Sequence, residues 1–165
     1  MKLTKSKLKQ VIREEIQKMN EAKTYADAMA GTNIDVSSKG ITSLEGAPKE
    51  VNGRFYCHNN KLTSLKGAPQ KVNGDFYCYN NSLTSLKDAP QKVEGDFYCQ
   101  NNSLTSLKGA PQKVNGDFYC YNNSLTSLEG APKEVEGDFY CQKNKTKFTE
   151  EDVRAVCKVG GRILV

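Results

Sequence analysis

A 21-residue period constrains this chain more than any other feature. Cys57, Cys78, Cys99, Cys120 and Cys141 recur at that interval, and all five prolines keep it too: Pro48, Pro69, Pro90, Pro111 and Pro132. The copy from Val72 to Lys92, VNGDFYCYNNSLTSLKDAPQK, represents the unit. A degenerate first copy, Ile34 to Pro48, has Val36 in the cysteine place. A frayed last copy, Val135 to Phe148, has Thr146 in the place of a leucine. Units of equal length cannot each bury an apolar face alone, so they stack and share one continuous core.

Within a unit the columns separate by side-chain type. Phe76 and Cys78 alternate with Asp75, Tyr77 and Tyr79. Period-two alternation marks a strand with one buried face. Gly74 precedes the strand and is free to take a positive φ. Leu83, Leu86, Ala89 and Pro90 then form an extended return, because no run is long or periodic enough for a helix. The expected fold is a repeat solenoid: a parallel β-sheet of about six short strands with extended returns, spaced ~4.8 Å apart. An N-terminal amphipathic helix precedes it and a C-terminal capping helix and strand follow.

The pattern F-x-C-x-x-N-x-L-x-x-L resembles the leucine-rich repeat, with Phe76, Cys78, Asn81, Leu83 and Leu86 on its positions. The short unit and its proline resemble the bacterial kind. One departure is that Val72 to Phe76 spans one residue more than the family spacing, which predicts a bulge or wider turn near Gly74. The resemblance covers Ile34 to about Phe148. It implies that Asn60, Asn81, Asn102, Asn123 and Asn144 bond turn backbone from inside, since a buried amide must be paired. It also implies a concave sheet face available for binding.

Charge divides the chain. The 165 residues carry a net charge of +5; Met1 to Lys23 holds seven Lys/Arg and three Glu, which is +4, leaving +1 for the rest. A nearly neutral repeat body argues against a nucleic-acid groove. Four segments follow: a basic helix over 1–23, a junction over 24–33, the solenoid over 34–148 and a cap over 149–165. In the first, Leu8, Val11, Ile12, Ile16 and Met19 share one helical face, with Thr4 or Ser6 as N-cap. Three uses are open: a solvated flank or a cap folded over Ile34 to Val36, a docking segment for a protein partner, or a membrane-surface helix. No stretch spans a membrane. The junction holds a further helical turn or two from Thr24, stopped by Gly31. In the cap, Thr149 starts a helix with Glu150, Glu151 and Asp152 at its positive end. Val153, Val156 and Cys157 share a face, Gly160-Gly161 ends the helix, and Arg162 to Val165 makes a last strand.

Chemistry is sparse. His58 is the only histidine, and no nucleophile–base pair, phosphate loop or zinc spacing surrounds it. The repeating cysteines read as small buried hydrophobes, with a redox or metal role as the alternative. Asp75, Asp96, Asp117 and Asp138 form a carboxylate column that either binds calcium or stays solvated. No cofactor is expected and the chain reads as non-enzymatic. The candidate binding surface is the outward strand face. Tyr56, Tyr77, Tyr98, Tyr119 and Tyr140 form one row, with His58, Tyr79, Gln100, Tyr121 and Gln142 beside it and the four aspartates alongside. Tyrosine rows supply large contact area with few rotors; the alternative is that they only support the sheet.

The opening MKLTKSKLKQVIREEI is similar to that of many proteins from T-even-like and marine tailed phages. With GAP-x-x-V-x-G-x-F-x-C, the chain resembles leucine-rich-repeat proteins of such phages. That resemblance implies a protein of the host cytoplasm or the virion. It also suggests head-assembly partners reached through Leu8, Val11, Ile12, Ile16 and Met19, or a cleaved targeting segment ending at Glu21. The function expected from sequence is protein binding on the concave Tyr/Asp/Asn face. A structural virion component and a carbohydrate-binding solenoid are the rivals.

Overall fold

The computed structural model describes residues 5–28 and 32–165. Helix α1 (Lys5–Ala28) leads into thirteen two-residue strands and one further helix. Seven strands form one parallel sheet: β1 (Ile34–Asp35), β3 (Phe55–Tyr56), β5 (Phe76–Tyr77), β7 (Phe97–Tyr98), β9 (Phe118–Tyr119), β11 (Phe139–Tyr140) and β13 (Ile163–Leu164). Six form a second: β2 (Glu50–Val51), β4 (Lys71–Val72), β6 (Lys92–Val93), β8 (Lys113–Val114), β10 (Glu134–Val135) and β12 (Lys158–Val159). Helix α2 (Glu150–Arg154) lies between β11 and β12. We call these the tyrosine sheet and the valine sheet. The molecule is therefore a β-solenoid of about six turns, wound so that each coil adds one strand to each sheet.

The second sheet corrects the expected extended return. Lys71-Val72 pairs in register with Lys92-Val93 and Glu50-Val51, turning Val51, Val72, Val93, Val114 and Val135 inward. The three residues between the sheets explain the spacing that departs from the leucine-rich pattern. Asn73-Gly74-Asp75 is a corner joining two sheets, not a bulge within one. Hydrogen bonding continues through the corner: Gly95 N donates to Gly74 O (3.1 Å), Gly116 N to Gly95 O (3.1 Å) and Gly137 N to Gly116 O (3.0 Å).

Gly74 does not take a positive φ, contrary to expectation; it is glycine because the coils touch there. An added Cβ would lie 2.9 Å from the Gly53 carbonyl, and at Gly95 it would lie 2.1 Å from Asp75 Oδ1. The positive-φ glycines sit at the opposite corner. Gly46, Gly67, Gly109 and Gly130 lie at φ 81–95°, with Asp88 filling the same column at 66°. Each is the third residue of a tight turn, closed for instance by Ala89 N donating to Leu86 O at 3.0 Å.

The core is built from columns. Phe55, Phe76, Phe97, Phe118 and Phe139 are fully buried, with successive ring centroids 5.2–5.7 Å apart. Val36 and the five repeat cysteines line the same face of the tyrosine sheet, and paired leucines close the third side. At the last coil, Thr149 caps α2. Its hydroxyl accepts from Asp152 N (3.2 Å) while its own N–H donates to Asp152 Oδ2 (2.8 Å). Val153 and Cys157 are buried beneath α2, but Val156 is 44% exposed, so the expected shared face is only partly right. Gly160-Gly161 does not end that helix; it is the corner between β12 and β13.

At the other end α1 runs unbroken into the predicted junction as far as Ala28, and Ser6 lies inside it instead of capping it. Thr4 and Gly31 lie outside the described residues. Leu8, Val11, Ile12, Ile16 and Met19 are all exposed, so this stripe does not fold over the first coil. Among the described residues no helix is long and apolar enough to cross a membrane.

Candidate functional site: the outer face of the tyrosine sheet

Register brings the tyrosines into one ladder. Rings of Tyr56, Tyr77, Tyr98, Tyr119 and Tyr140 stack at centroid separations of 4.5–4.6 Å with interplanar angles of 6–13°. All five are half-buried. Tyr77, Tyr98 and Tyr119 have both ring faces covered by neighbouring rings, which leaves their edges and hydroxyls to face outward.

The aspartates pin those hydroxyls. Tyr77 donates to Asp75 Oδ2 (2.9 Å), Tyr98 to Asp96 (2.7 Å), Tyr119 to Asp117 (2.8 Å) and Tyr140 to Asp138 (3.0 Å). The other carboxylate oxygen braces the next coil. Asp75 Oδ1 accepts from Asp96 N (2.9 Å), Asp96 Oδ1 from Asp117 N (2.7 Å), and Asp117 Oδ1 from Asp138 N (2.7 Å). The four aspartates of the expected binding face are therefore structural ties between coils as well as surface groups.

Both ends of the carboxylate column are closed by arginine. Arg54 Nε lies 2.8 Å from Asp75 Oδ2 and Arg54 also hydrogen-bonds Tyr56. Arg162 contacts Asp138 Oδ2 at 2.7 Å and donates its backbone N–H to Oδ1 at 2.7 Å. That N–H, with the guanidinium, holds the Asp138 carboxyl below its ordinary range. Burial first, and the accepting carboxylate second, push the Tyr77, Tyr98 and Tyr119 phenols above theirs. These hydroxyls stay protonated donors at neutral pH.

The second row is less regular. His58 and Tyr79 stack at 4.4 Å and 15°, and Tyr77 meets Tyr79 edge-on at 6.4 Å. Tyr121 and Gln142 are half-buried, while Gln100 is 93% buried, at 7% exposure. Three buried polar atoms of this row lack a hydrogen-bond partner among the described residues: His58 Nδ1, Gln100 Oε1 and Gln142 Oε1. They alternate with Tyr79 and Tyr121, following the two-coil pattern of the sequence.

Two asparagine columns border the site. In the inner one Asn81 Nδ2 donates to Cys57 O (3.1 Å), Cys78 O (3.1 Å) and Tyr79 O (3.3 Å), while its Oδ1 accepts from Leu62 N (3.0 Å). Asn60, Asn102, Asn123 and Asn144 repeat this arrangement, so each ties neighbouring coils. The outer column escaped the sequence reading. Asn59, Asn80, Asn101 and Asn122 take φ of 51–56° and hand amide hydrogens along a ladder at 2.7–2.8 Å. Asparagine is among the few side chains that tolerate that backbone, which was the available signal. Asn33 was missed too; it stands in the aspartate column and accepts from Arg54 N at 2.8 Å.

The cysteines are all free and buried. Burial raises every thiol, that of Cys141 to about 11, which leaves no reactive thiolate at neutral pH. Among the described residues no group of three or more His, Cys, Asp or Glu is arranged to hold a metal ion. No protein-family model matches this chain, and no curated protein matches it.

Proposed function

We propose that this chain is a non-enzymatic protein-binding module that uses the outer face of the tyrosine sheet. The observation that carries the reading is the pinned tyrosine ladder. Five half-buried rings are stacked within 4.6 Å and four hydroxyls are held by aspartates. A surface already ordered loses little side-chain freedom when a partner arrives. Aromatic and amide groups on it supply both apolar contact and hydrogen bonding. The three unpartnered atoms in the neighbouring row add acceptors that a partner's donors would satisfy once the covering side chains shift. A protein suits this face better than a sugar, because sugar stacking needs an open ring face and both faces of Tyr77, Tyr98 and Tyr119 are covered by neighbouring rings.

The leucine-rich-repeat kinship belongs to this proposal. It is supported by Phe76, Cys78, Asn81, Leu83 and Leu86 on the family's positions and by the inward bonding of Asn81. The glycine corner and the valine sheet are this chain's departures. Phage origin rests on the likeness of the first sixteen residues and the repeat.

The test is affinity capture from host or infected-cell lysate on the immobilised full chain. Tyr98→Phe with Tyr119→Phe keeps the stack and removes two hydroxyls; Lys66→Ala with Lys108→Ala alters a different side. A protein retained by wild type, weakened by the tyrosine pair and indifferent to the lysine pair supports the reading. Retention lost with the lysine pair and kept with the tyrosine pair contradicts it.

A further inference from the structure

The outer face of the tyrosine sheet repeats one unit, a carboxylate that holds the phenol two residues on. It occurs in four successive coils: Asp75–Tyr77, Asp96–Tyr98, Asp117–Tyr119 and Asp138–Tyr140. The chain's own arginines meet the two terminal units. Arg54 Nε lies 2.8 Å from Asp75 Oδ2, and the same side chain bonds the Tyr56 phenol. Arg162 donates from Nε (3.0 Å) and Nη2 (2.7 Å) to Asp138 Oδ2 and also bonds Tyr140. These arginine side chains are 55% and 77% exposed, so they lie on the solvent side of the column.

The two inner units make the same internal bonds and meet no cation. Among the described residues no lysine or arginine pairs with Asp96 or Asp117; Lys92 is taken by Glu94, and Lys113 by Glu134 and Glu136. Each inner carboxylate spends Oδ1 on the next coil's N–H and one lone pair of Oδ2 on its phenol, which leaves acceptor capacity on Oδ2. Its neighbours along the column are carboxylates one coil away, at ~4.8 Å, so each inner charge is repelled from both sides. A cation can reach it only from outside. The coil of Asp96 and Tyr98 carries a further mark. Gln100, on the same outward alternation, is only 7% exposed and its Oε1 has no donor. A buried acceptor left without a donor is rare in a folded protein.

We infer that the partner of this face is a basic segment whose arginines seat on the Asp96–Tyr98 and Asp117–Tyr119 units, as Arg54 and Arg162 seat on the terminal ones. The inference rests on the binding reading above and names its chemistry. A planar guanidinium offers a fork of N–H donors, so one group meets a carboxylate and a phenol oxygen together. The phenol gives its own hydrogen to the aspartate, and its oxygen still accepts. A lysine ammonium is a point charge without that fork. Another donor of the same segment satisfies Gln100 Oε1.

The test is a titration of the isotope-labelled full chain with a blocked Gly-Arg-Gly-Arg-Gly peptide, read by amide chemical shifts, beside the matching lysine peptide. The local reporters are the N–H groups of Asp117 and Asp138, which bond the Asp96 and Asp117 carboxylates. The arginine peptide should move both with millimolar affinity, and the lysine peptide should bind roughly threefold or more weakly. Asp96→Asn with Asp117→Asn keeps an acceptor for those N–H groups, removes the charge and should abolish the response. If that variant melts early, Arg162→Ala decides instead. It bares the Asp138–Tyr140 unit, so the arginine peptide should move the Tyr140 amide where wild type shows no change. Reporters unmoved by the arginine peptide, moved equally by the lysine peptide, or moved as strongly in the asparagine variant overturn the inference, as does Arg162→Ala that gains nothing. A captured protein that depends on Tyr98 and Tyr119 yet tolerates the asparagine pair overturns this inference and leaves the binding reading intact. Arginine-specific shifts support the inference even where lysate capture, the test of that reading, fails.

Discussion

Asn81 carries more of this fold than any other single polar side chain in its coil. Asn81→Ala strands the Leu62 N–H and takes one of two donors from the Cys57, Cys78 and Tyr79 carbonyls, an expected loss of about 1–3 kcal/mol in urea unfolding. Gly95→Ala is expected to cost about 1–3 kcal/mol, because the new methyl lands on Asp75 and on backbone of the preceding coil. His58 gives the fold a pH dependence. Burial lowers its pKa from the ordinary 6.5, opposed by Asp35. The folded state thus holds the proton less tightly than the unfolded chain. Stability is full above pH 6.5 and falls as pH falls through that value toward the lowered one. His58→Gln, matching Gln100 and Gln142, should flatten this stretch of a melting-temperature profile. The inner asparagines were readable through the resemblance to leucine-rich repeats, which implies their bonds to turn backbone, and a buried amide must be paired. The glycine was readable only as a glycine: positive φ and close approach leave the same letter, and only contact with the neighbouring coil tells them apart.

At the scale of elements, the tyrosine sheet was legible because Phe and Cys alternate with Tyr. The valine sheet was not, because its strands are two residues long and offer one inward side chain each. Too few residues repeat there to show a period. The last strand expected over Arg162 to Val165 is β13, and the residues leading into it repeat the corner of the unit. Val159-Gly-Gly-Arg162-Ile-Leu164 repeats Val51-Asn-Gly-Arg54-Phe-Tyr56, with Arg162 closing the aspartate column as Arg54 opens it. The outward side of the tyrosine and aspartate columns was legible from the alternation, but not the bonds between them. Tyr77→Ala, Tyr98→Ala and Tyr119→Ala together should therefore destabilise the fold, where alternation alone suggests a harmless surface change. Helix α1 makes the opposite case, since its apolar stripe covers no part of the solenoid. A chain starting at Ala22 should melt within a few degrees of the full chain; scanning calorimetry reads the difference.

The whole molecule is a one-dimensional stack in which each coil meets only its neighbours, through paired strands and the same ladders of Phe, Tyr, Asp and Asn. Stability in such a stack grows with the number of interfaces, and any whole unit is dispensable. Register is what cannot be disturbed, because a partial unit puts core columns against surface columns. Removing one unit, Val93 to Lys113, joins Lys92 to Val114 with every column aligned. Urea unfolding of that deletion, beside a ten-residue deletion from Val93 to Asn102, measures the claim directly. The 21-residue deletion should unfold cooperatively at lower denaturant with its folded circular dichroism intact, and the ten-residue deletion should not fold. A whole-unit deletion that fails to fold, or a ten-residue deletion as stable as it, would contradict an in-register solenoid.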